Sequence, residues 1–158
     1  MYVFEKKVLY LCHKNNGSSI HLALKGIMEK QKVTIEYELK SNSRSIIWRL
    51  IGTADGLGRW LADDVQQDGD ALTFRWGEEW SHHQVKHAHV IDVQKEKSFT
   101  FHWDDEDEEY DVELRMEKND LTDDYILIIT DYTEADDVES LRDLWDSDLE
   151  RLHRNTGV

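Results

Sequence analysis

The sequence has no proline, a single cysteine and no long hydrophobic run, and it is short of positive charge. Because Cys12 has no second cysteine to pair with, an internal disulfide framework is excluded, and we expect a cytoplasmic protein. No apolar run approaches the length of about 18 residues that a membrane-spanning helix needs, so we expect no membrane insertion. The 34 acidic residues outnumber the 19 basic ones and leave a net charge of −15, which argues against nucleic acid as a partner.

What the sequence does contain is typical of one globular domain. Its 158 residues are 39% hydrophobic and include six Trp, six Tyr and four Phe. This aromatic content is far too high for a disordered chain. A chain of this length buries about 68–70% of the surface that it exposes when unfolded, which is enough for a single sizeable core.

Residues 1–27 differ from the rest in charge. Four lysines against one glutamate give this segment a net charge of +3, which leaves −18 for residues 28–158 out of the total of −15. The only apolar block, at residues 8–12, is shorter than the core of about 7–15 residues of a signal peptide. We therefore expect a poorly ordered N-terminal extension at 1–27, followed by one domain at 28–158. The alternative is an additional edge strand at residues 6–11.

Most of the domain alternates between apolar and polar residues with the period of β-strands. Val33, Ile35, Tyr37 and Leu39 are separated by polar residues, a pattern that predicts a half-buried strand. Further strands of this kind are expected around residues 72–76, 85–93, 99–103, 110–116 and 125–132. Within the run 85–93, one face of the strand is predicted to carry Val85, His87, His89, Ile91 and Val93. The nearly continuous apolar run 125–132 predicts an interior strand.

Three helices are predicted around these strands. Ser41-Asn42-Ser43 supplies N-cap residues for a short helix at 44–51, and Leu57, Trp60 and Leu61 suggest a second one. At the C-terminal end, apolar residues recur at spacings of 3, 4, 4 and 3, and Asp136 is a candidate start of the helix. This stripe consists of Val138, Leu141, Trp145, Leu149 and Leu152, and it needs a matching apolar surface, which we expect to be the sheet.

The predicted fold is therefore α+β, a helix-grip arrangement in which a curved antiparallel sheet of about seven strands wraps around the long C-terminal helix. At this point the chain resembles the START and birch-pollen-allergen-like (SRPBCC) superfamily. It looks most like the bacterial START-like domains related to activators of the ATPase of the ninety-kilodalton heat-shock chaperone. The resemblance rests on the segments 43–48, 90–93, 99–103 and 141–152, together with Trp60, Gly69 and Trp76. Lys95-Glu96 stands where the family usually has a proline at the middle turn. These are packing motifs, so the resemblance implies a fold more than a function.

Four histidines form the most concentrated group of candidate ligands. His83, His87 and His89 are predicted to share a strand face, with His82 on the opposite one. Side chains two residues apart on a strand lie about 7 Å apart, so a pair could hold a metal ion with one further ligand. Hydrogen-bonded imidazoles on a half-buried strand are the favoured interpretation, and no metal is expected.

The acidic run 104–109 is a second candidate. It lacks the alternating spacing and the glycine of a calcium-binding loop. We interpret it as a solvated hairpin loop, with a surface for a basic protein partner as the alternative. No nucleophile with an adjacent base, no phosphate-binding loop and no paired carboxylates stand out, so no catalytic residue and no cofactor are predicted.

The resemblance favours a binding module that holds a small hydrophobic or amphipathic ligand between the sheet and the C-terminal helix. The predicted ligand-binding residues are Trp76, His87, His89, Phe101, Trp103, Leu141, Trp145 and Leu149. An imidazole would orient the polar end of the ligand. Two alternatives are a protein-interaction domain related to co-chaperones, and an enzyme with a cavity-bound substrate and His87 or His89 as the acid or base.

Overall fold

The computed structural model describes residues 29–158. Seven strands form one antiparallel sheet: β1 (Gln31–Glu38), β2 (Asp64–Asp68), β3 (Ala71–Trp76), β4 (Gln84–Gln94), β5 (Ser98–Trp103), β6 (Asp111–Lys118) and β7 (Tyr125–Thr133). Two short helices, α1 (Arg44–Ile51) and α2 (Ala54–Leu57), follow β1. A 3₁₀ turn (Ala135–Asp137) leads into the long helix α3 (Val138–Thr156). The order across the sheet is β1-β7-β6-β5-β4-β3-β2, which confirms the α+β helix-grip fold.

The central part of the sheet follows the predicted alternation. Val33, Ile35 and Leu39 are buried, whereas the residues between them are mostly exposed. Ile35 lies opposite Ile129 of β7, and β7 in turn pairs with β6. Directly opposite residues point to the same face of a sheet, so these strands present one continuous apolar face. The prediction that the last strand lies inside the sheet is confirmed, because β7 is enclosed by β1 and β6.

Four of the five residues in the predicted stripe of α3 are buried against this face, and Val138 is half-buried. Leu141, Trp145, Leu149 and Leu152 are each at most 5% exposed. The Trp145 ring lies 6.3 Å from the ring of Trp60, and its Nε1 donates a hydrogen bond of 3.0 Å to Asp131 Oδ2. The N-cap is Asp137, not Asp136, and its side chain makes no capping hydrogen bond.

The second short helix is shorter than predicted. It ends at Leu57, so Trp60 and Leu61 lie in the turn that follows it. Trp60 is nevertheless fully buried and donates from Nε1 to the carbonyl oxygen of Leu50 at 3.0 Å. These apolar residues have the spacing of a helix because all three are buried, but the backbone at Trp60 and Leu61 forms a turn.

The predicted face of β4 is wrong in two respects. A bulge between Val90 and Asp92 places Val93 opposite Phe99, on the inner face, so it does not share a face with the other four residues. Those four face away from α3, and both His87 and His89 are exposed. The inner face of β4 carries Lys86, Ala88 and Val90, because Ala88 pairs with Leu72 on one side and with Trp103 on the other.

We predict that replacing Trp145 with alanine lowers the free energy of unfolding by about 3–5 kcal/mol, the usual cost of removing a large aromatic side chain from a packed core. The ring is 5% exposed and touches both the sheet and the turn after α2. Urea denaturation followed by circular dichroism measures this change. Trp80→Ala is the matched control, since Trp80 is 84% exposed and its loss should change stability by less than about 0.5 kcal/mol. Equal effects of the two substitutions would contradict the packing role of Trp145.

The predicted extension, residues 1–27, lies outside the described residues, and its dispensability stays a prediction. A chain that starts at Met28 is expected to unfold cooperatively with nearly the same melting temperature as the full chain. A loss of more than about 5 °C, roughly 1 kcal/mol for a domain of this size, would show that the segment contributes to stability. Differential scanning calorimetry of both chains measures the difference.

Candidate functional site

The inner face of the sheet ends in a group of large side chains at one corner. Trp76 ends β3, Trp103 ends β5, and Lys86 lies on β4 between them. Phe74 connects the two tryptophans, with its ring centroid 4.8 Å from that of Trp103 and 6.0 Å from that of Trp76. Phe74 and Phe101 are fully buried, whereas both tryptophans are only half-buried. We call Trp76, Lys86 and Trp103 the tryptophan corner.

Lys86 gives this aromatic surface a polar group. Its Nζ lies 4.2 Å from the centroid of the Trp103 ring and 3.2 Å from Asp105 Oδ1. A cation above a tryptophan face is attracted by the negative face of the ring, and the attraction grows when water is excluded. The side chain is only 16% exposed, so its aliphatic stem covers the sheet while the ammonium group reaches the rim. The corner is therefore amphipathic, with aromatic walls and one cation.

The acidic hairpin 104–109 is attached to neighbouring segments by three contacts, one of them with the corner. Asp104 Oδ1 is 2.8 Å from His89 Nδ1, Asp105 pairs with Lys86, and Glu106 pairs with Lys30. Five of the six residues are exposed, as expected of a solvated loop, and only Glu106 is half-buried. The first three nevertheless each contact a cationic or imidazole partner in a different segment.

The histidines of β4 lie on the opposite face of the sheet from the corner. His87 Nδ1 is 3.4 Å from Thr73 Oγ1, and the ring of His89 is 5.2 Å from that of His102. His83 lies before the strand, with its Nδ1 2.9 Å from the carbonyl oxygen of Ser81. Between residues 29 and 158 no group of three or more His, Cys, Asp or Glu side chains could hold a metal ion. His87 and His89 are exposed on the outer face, so neither can act as the acid or base for a substrate bound in the interior.

His102 is a polar residue whose burial the sequence pattern did not indicate. It is 4% exposed, its Nδ1 lies 2.8 Å from Asp111 Oδ1, and its Nε2 lies 3.3 Å from the carbonyl oxygen of Glu106. Both ring nitrogens thus have partners. These contacts join the hairpin 104–109 to β5 and β6 on the outer face.

The eight predicted ligand-binding residues fall into three groups. Phe101, Leu141, Trp145 and Leu149 belong to the packed core, each at most 5% exposed. His87 and His89 are exposed on the outer face, and Trp76 and Trp103 line the corner. Lys86 and Asp105 were missed. The sequence contained a signal for Lys86, because the period of a strand places it on the same face as Ala88 and Val90. Its charge, however, favours a position that faces the solvent.

A half-buried carboxyl group, that of Asp148, lies on α3. Asp148 stands one turn after Leu144 and one turn before Arg151. Arg151 pairs with Asp63, and Asp63 also accepts a hydrogen bond of 2.6 Å from the backbone N–H of Gly77, the neighbour of Trp76. That bond, with Arg151, lowers the pKa of Asp63, whereas burial raises the pKa of Asp148 to about 7 despite the positive charge of Arg151.

A family model described as a START-like superfamily domain matches residues 27–158. The chain belongs to the START-like superfamily. This START-like domain is also similar to the protein BfR322 from Bacteroides fragilis, whose structure was solved by NMR. The two chains are 38% identical, the match covers 80% of this chain and 91% of the other, and the TM-score is 0.57.

More distant solved structures share the fold of this START-like domain. The AHSA1-like protein from Aeromonas hydrophila is 14% identical, with 80% of this chain and 92% of that one covered and a TM-score of 0.66. The Aha1 dimer from Colwellia psychrerythraea is 16% identical, with 80% and 98% covered and a TM-score of 0.62. A search of the curated proteins found no match. In the described part of the chain no helix is both long and apolar enough to cross a membrane.

Asp148 should make the stability of the START-like domain depend on pH. Its raised pKa means that the folded chain keeps this proton to a higher pH than the unfolded chain, whose Asp pKa is 3.8. Its contribution to stability is therefore lost as the pH rises from about 4 to about 7 and stays constant above that range. We predict that Asp148→Asn is more stable than the parent by roughly 2–4 kcal/mol at pH 8 and nearly equal to it at pH 4.

Urea denaturation at the two pH values measures this difference. Asp146→Asn is the control, because Asp146 is exposed on α3 and its replacement should change stability by less than about 0.5 kcal/mol at either pH. A stability gain of Asp148→Asn that is the same at pH 4 and pH 8 would contradict the raised pKa of this carboxyl group.

Proposed function

We propose that this START-like domain is a binding module for a small hydrophobic or amphipathic ligand, and that the tryptophan corner contacts this ligand. The observation that carries the proposal is the half-burial of Trp76 and Trp103 on the inner face, directly beside the fully buried Phe74 and Phe101. A core ring in a fully covered sheet has no such exposure. Here the apolar interior continues to a rim where another molecule can reach it.

The chemistry of the corner suits a ligand with one apolar and one polar end. Small-molecule sites are mostly apolar and carry a few polar groups that fix the orientation of the ligand. Phe74, Trp76 and Trp103 supply the apolar wall, and the Lys86 ammonium group takes the orienting role that the sequence had suggested for an imidazole. Asp105 holds that ammonium group in place and belongs to the hairpin beside the corner. The single cysteine continues to favour a cytoplasmic location, which is part of the proposal.

Binding of an uncharged fluorescent probe tests this proposal. N-phenyl-1-naphthylamine becomes fluorescent in apolar sites, and its titration with the full chain should give saturable binding. Trp103→Ala and Trp76→Ala should each raise the dissociation constant at least about tenfold, or 1.4 kcal/mol. Trp103→Phe keeps an aromatic wall and should lose less. Native mass spectrometry of the purified full chain adds a direct search for a co-purified molecule.

Trp80→Ala is the matched control, because Trp80 is 84% exposed in the loop between β3 and β4 and does not belong to the corner. Its dissociation constant for the probe should equal that of the parent. If the probe fails to saturate and only the mass of the unbound chain is found, the binding-module proposal is wrong.

A protein-interaction domain is the second candidate, and exposed apolar side chains favour it. Trp80 is 84% exposed, and Val85 and Ile91, on the outer face of β4, are 42% and 48% exposed. Scattered apolar residues are common on protein surfaces, so this observation is weaker than the half-buried corner. Sedimentation velocity of the parent and of a Val85→Ser, Ile91→Ser variant distinguishes the two, since self-association through the outer face should be lost in the variant.

A further inference from the structure

A groove separate from the tryptophan corner lies where α1, α2 and the last turn of α3 meet. Its volume is about 240 Å³, and one side is open to solvent. The residues that matter here are Ile46, Arg49, Leu50, Asp55, Arg59 and Asn155. None of them belongs to the corner, so the groove is an independent feature of the domain.

The backbone on both sides of the groove is fixed by short contacts. The Arg49 carbonyl oxygen accepts a hydrogen bond of 2.6 Å from Thr53 Oγ1. A Cβ atom on Gly56 would lie 1.8 Å from the same oxygen, so only glycine allows α2 to pack this closely on α1. On the other side, Asn155 Nδ2 donates to the Arg59 carbonyl oxygen at 2.8 Å. The two arginines are thus attached to rigid walls.

The groove carries more positive than negative charge in a strongly acidic chain. Arg59 Nη2 lies 3.5 Å from Asp55 Oδ2, but these side chains are 56% and 82% exposed, and exposed pairs of this kind are weak. The guanidinium group of Arg49 makes no ion pair or hydrogen bond with any residue that the structure describes. Two guanidinium groups therefore face one weakly held carboxylate, within a protein of net charge −15.

An apolar surface lies next to these charges. Ile46 is 50% exposed and precedes Arg49 by three residues on α1, so the two side chains share a helix face. Leu50, which is buried, continues this surface into the groove. A cation and an exposed aliphatic side chain on one face are complementary to an anion that carries a hydrocarbon part.

We propose that this groove binds a small organic anion whose carboxylate or phosphate group is held by Arg49 and Arg59 and whose apolar part rests on Ile46 and Leu50. Guanidinium groups bind such anions through paired N–H donors, which gives orientation as well as attraction. The volume lies below the roughly 300–1,000 Å³ of most small-molecule pockets, so the groove fits the anionic end and a few carbons of the ligand.

NMR titration of the full chain with three ligands of equal chain length tests this proposal. Octanoate and octyl phosphate carry the two anionic groups, and octanol is the uncharged reference. We expect saturable amide shifts in residues 46–59 and 155–156 for at least one anion, and binding of octanol at these same residues at least tenfold weaker. The anion that binds more tightly shows whether the groove prefers a carboxylate or a phosphate group.

Variants of the arginines complete the test. Arg49→Gln and Arg59→Gln should each raise the dissociation constant of the bound anion at least tenfold, and Arg49→Lys should have a smaller effect because it keeps the charge. Arg154→Gln is the matched control, an exposed arginine of α3 outside the groove, and should change it less than twofold. Trp103→Phe should leave it unchanged, which separates this site from the corner. Equally strong octanol binding at residues 46–59, shifts confined to the surroundings of Trp76 and Trp103, no saturable shifts of residues 46–59 with either anion, or no effect of Arg49→Gln would each overturn the proposal.

Discussion

The contact of Trp145 with the sheet is the interaction on which the rest of the structure depends. One side chain joins α3 to β7 through Asp131 and to the turn after α2 through Trp60. Burial of a tryptophan removes about 150–250 Å² from water, which at about 25 cal/mol per Å² corresponds to about 4–6 kcal/mol before the entropy of ordering is subtracted. Because α3 must cover this surface, only one face of each strand can belong to the core.

The aromatic side chains on the inner face of the sheet differ in how far they are exposed. Phe74, Phe99 and Phe101 are fully buried, whereas Trp76 and Trp103 at the ends of β3 and β5 keep part of their surface exposed. The Lys86 ammonium group lies beside the exposed part of Trp103. On α3, partial burial raises the pKa of the Asp148 carboxyl group. The proposed ligand site therefore follows from where the helix stops covering the sheet.

Charge has a different role in the two candidate sites. Beside the corner, Asp104, Asp105 and Glu106 each pair with a partner from another segment, so these contacts position the acidic hairpin although its residues repel one another. Such partly exposed pairs are each worth little, about 0–1 kcal/mol, and they orient the hairpin more than they stabilise the fold. In the groove beside α1, the lining contains two arginines and a single acid, which pairs with Arg59, so the local charge opposes that of the whole molecule.

Sequence periodicity was sufficient for the architecture. The strand pattern of Val33 to Leu39 and the stripe from Leu141 to Leu152 both predicted the elements that formed and the residues that they bury. It was less successful for short elements, because the apolar spacing of Leu57, Trp60 and Leu61 fits a tight turn as well as a helix. The apolar pattern of a sequence predicts which residues are buried. In a short segment, contacts with neighbouring elements decide which backbone conformation buries them.

Strand β4 shows most clearly which features of the candidate site the sequence determined and which the tertiary structure decided. By itself the sequence determined that this strand alternates, and therefore that His87 and His89 lie on one face and Lys86 and Ala88 on the other. Which face turns inward was decided only by tertiary structure, through the pairing of Ala88 with Leu72 and Trp103. Both faces contain apolar and polar residues, so period two alone cannot choose between them. The choice comes from the aromatic side chains of β3 and β5, which can be buried under α3 in one register only.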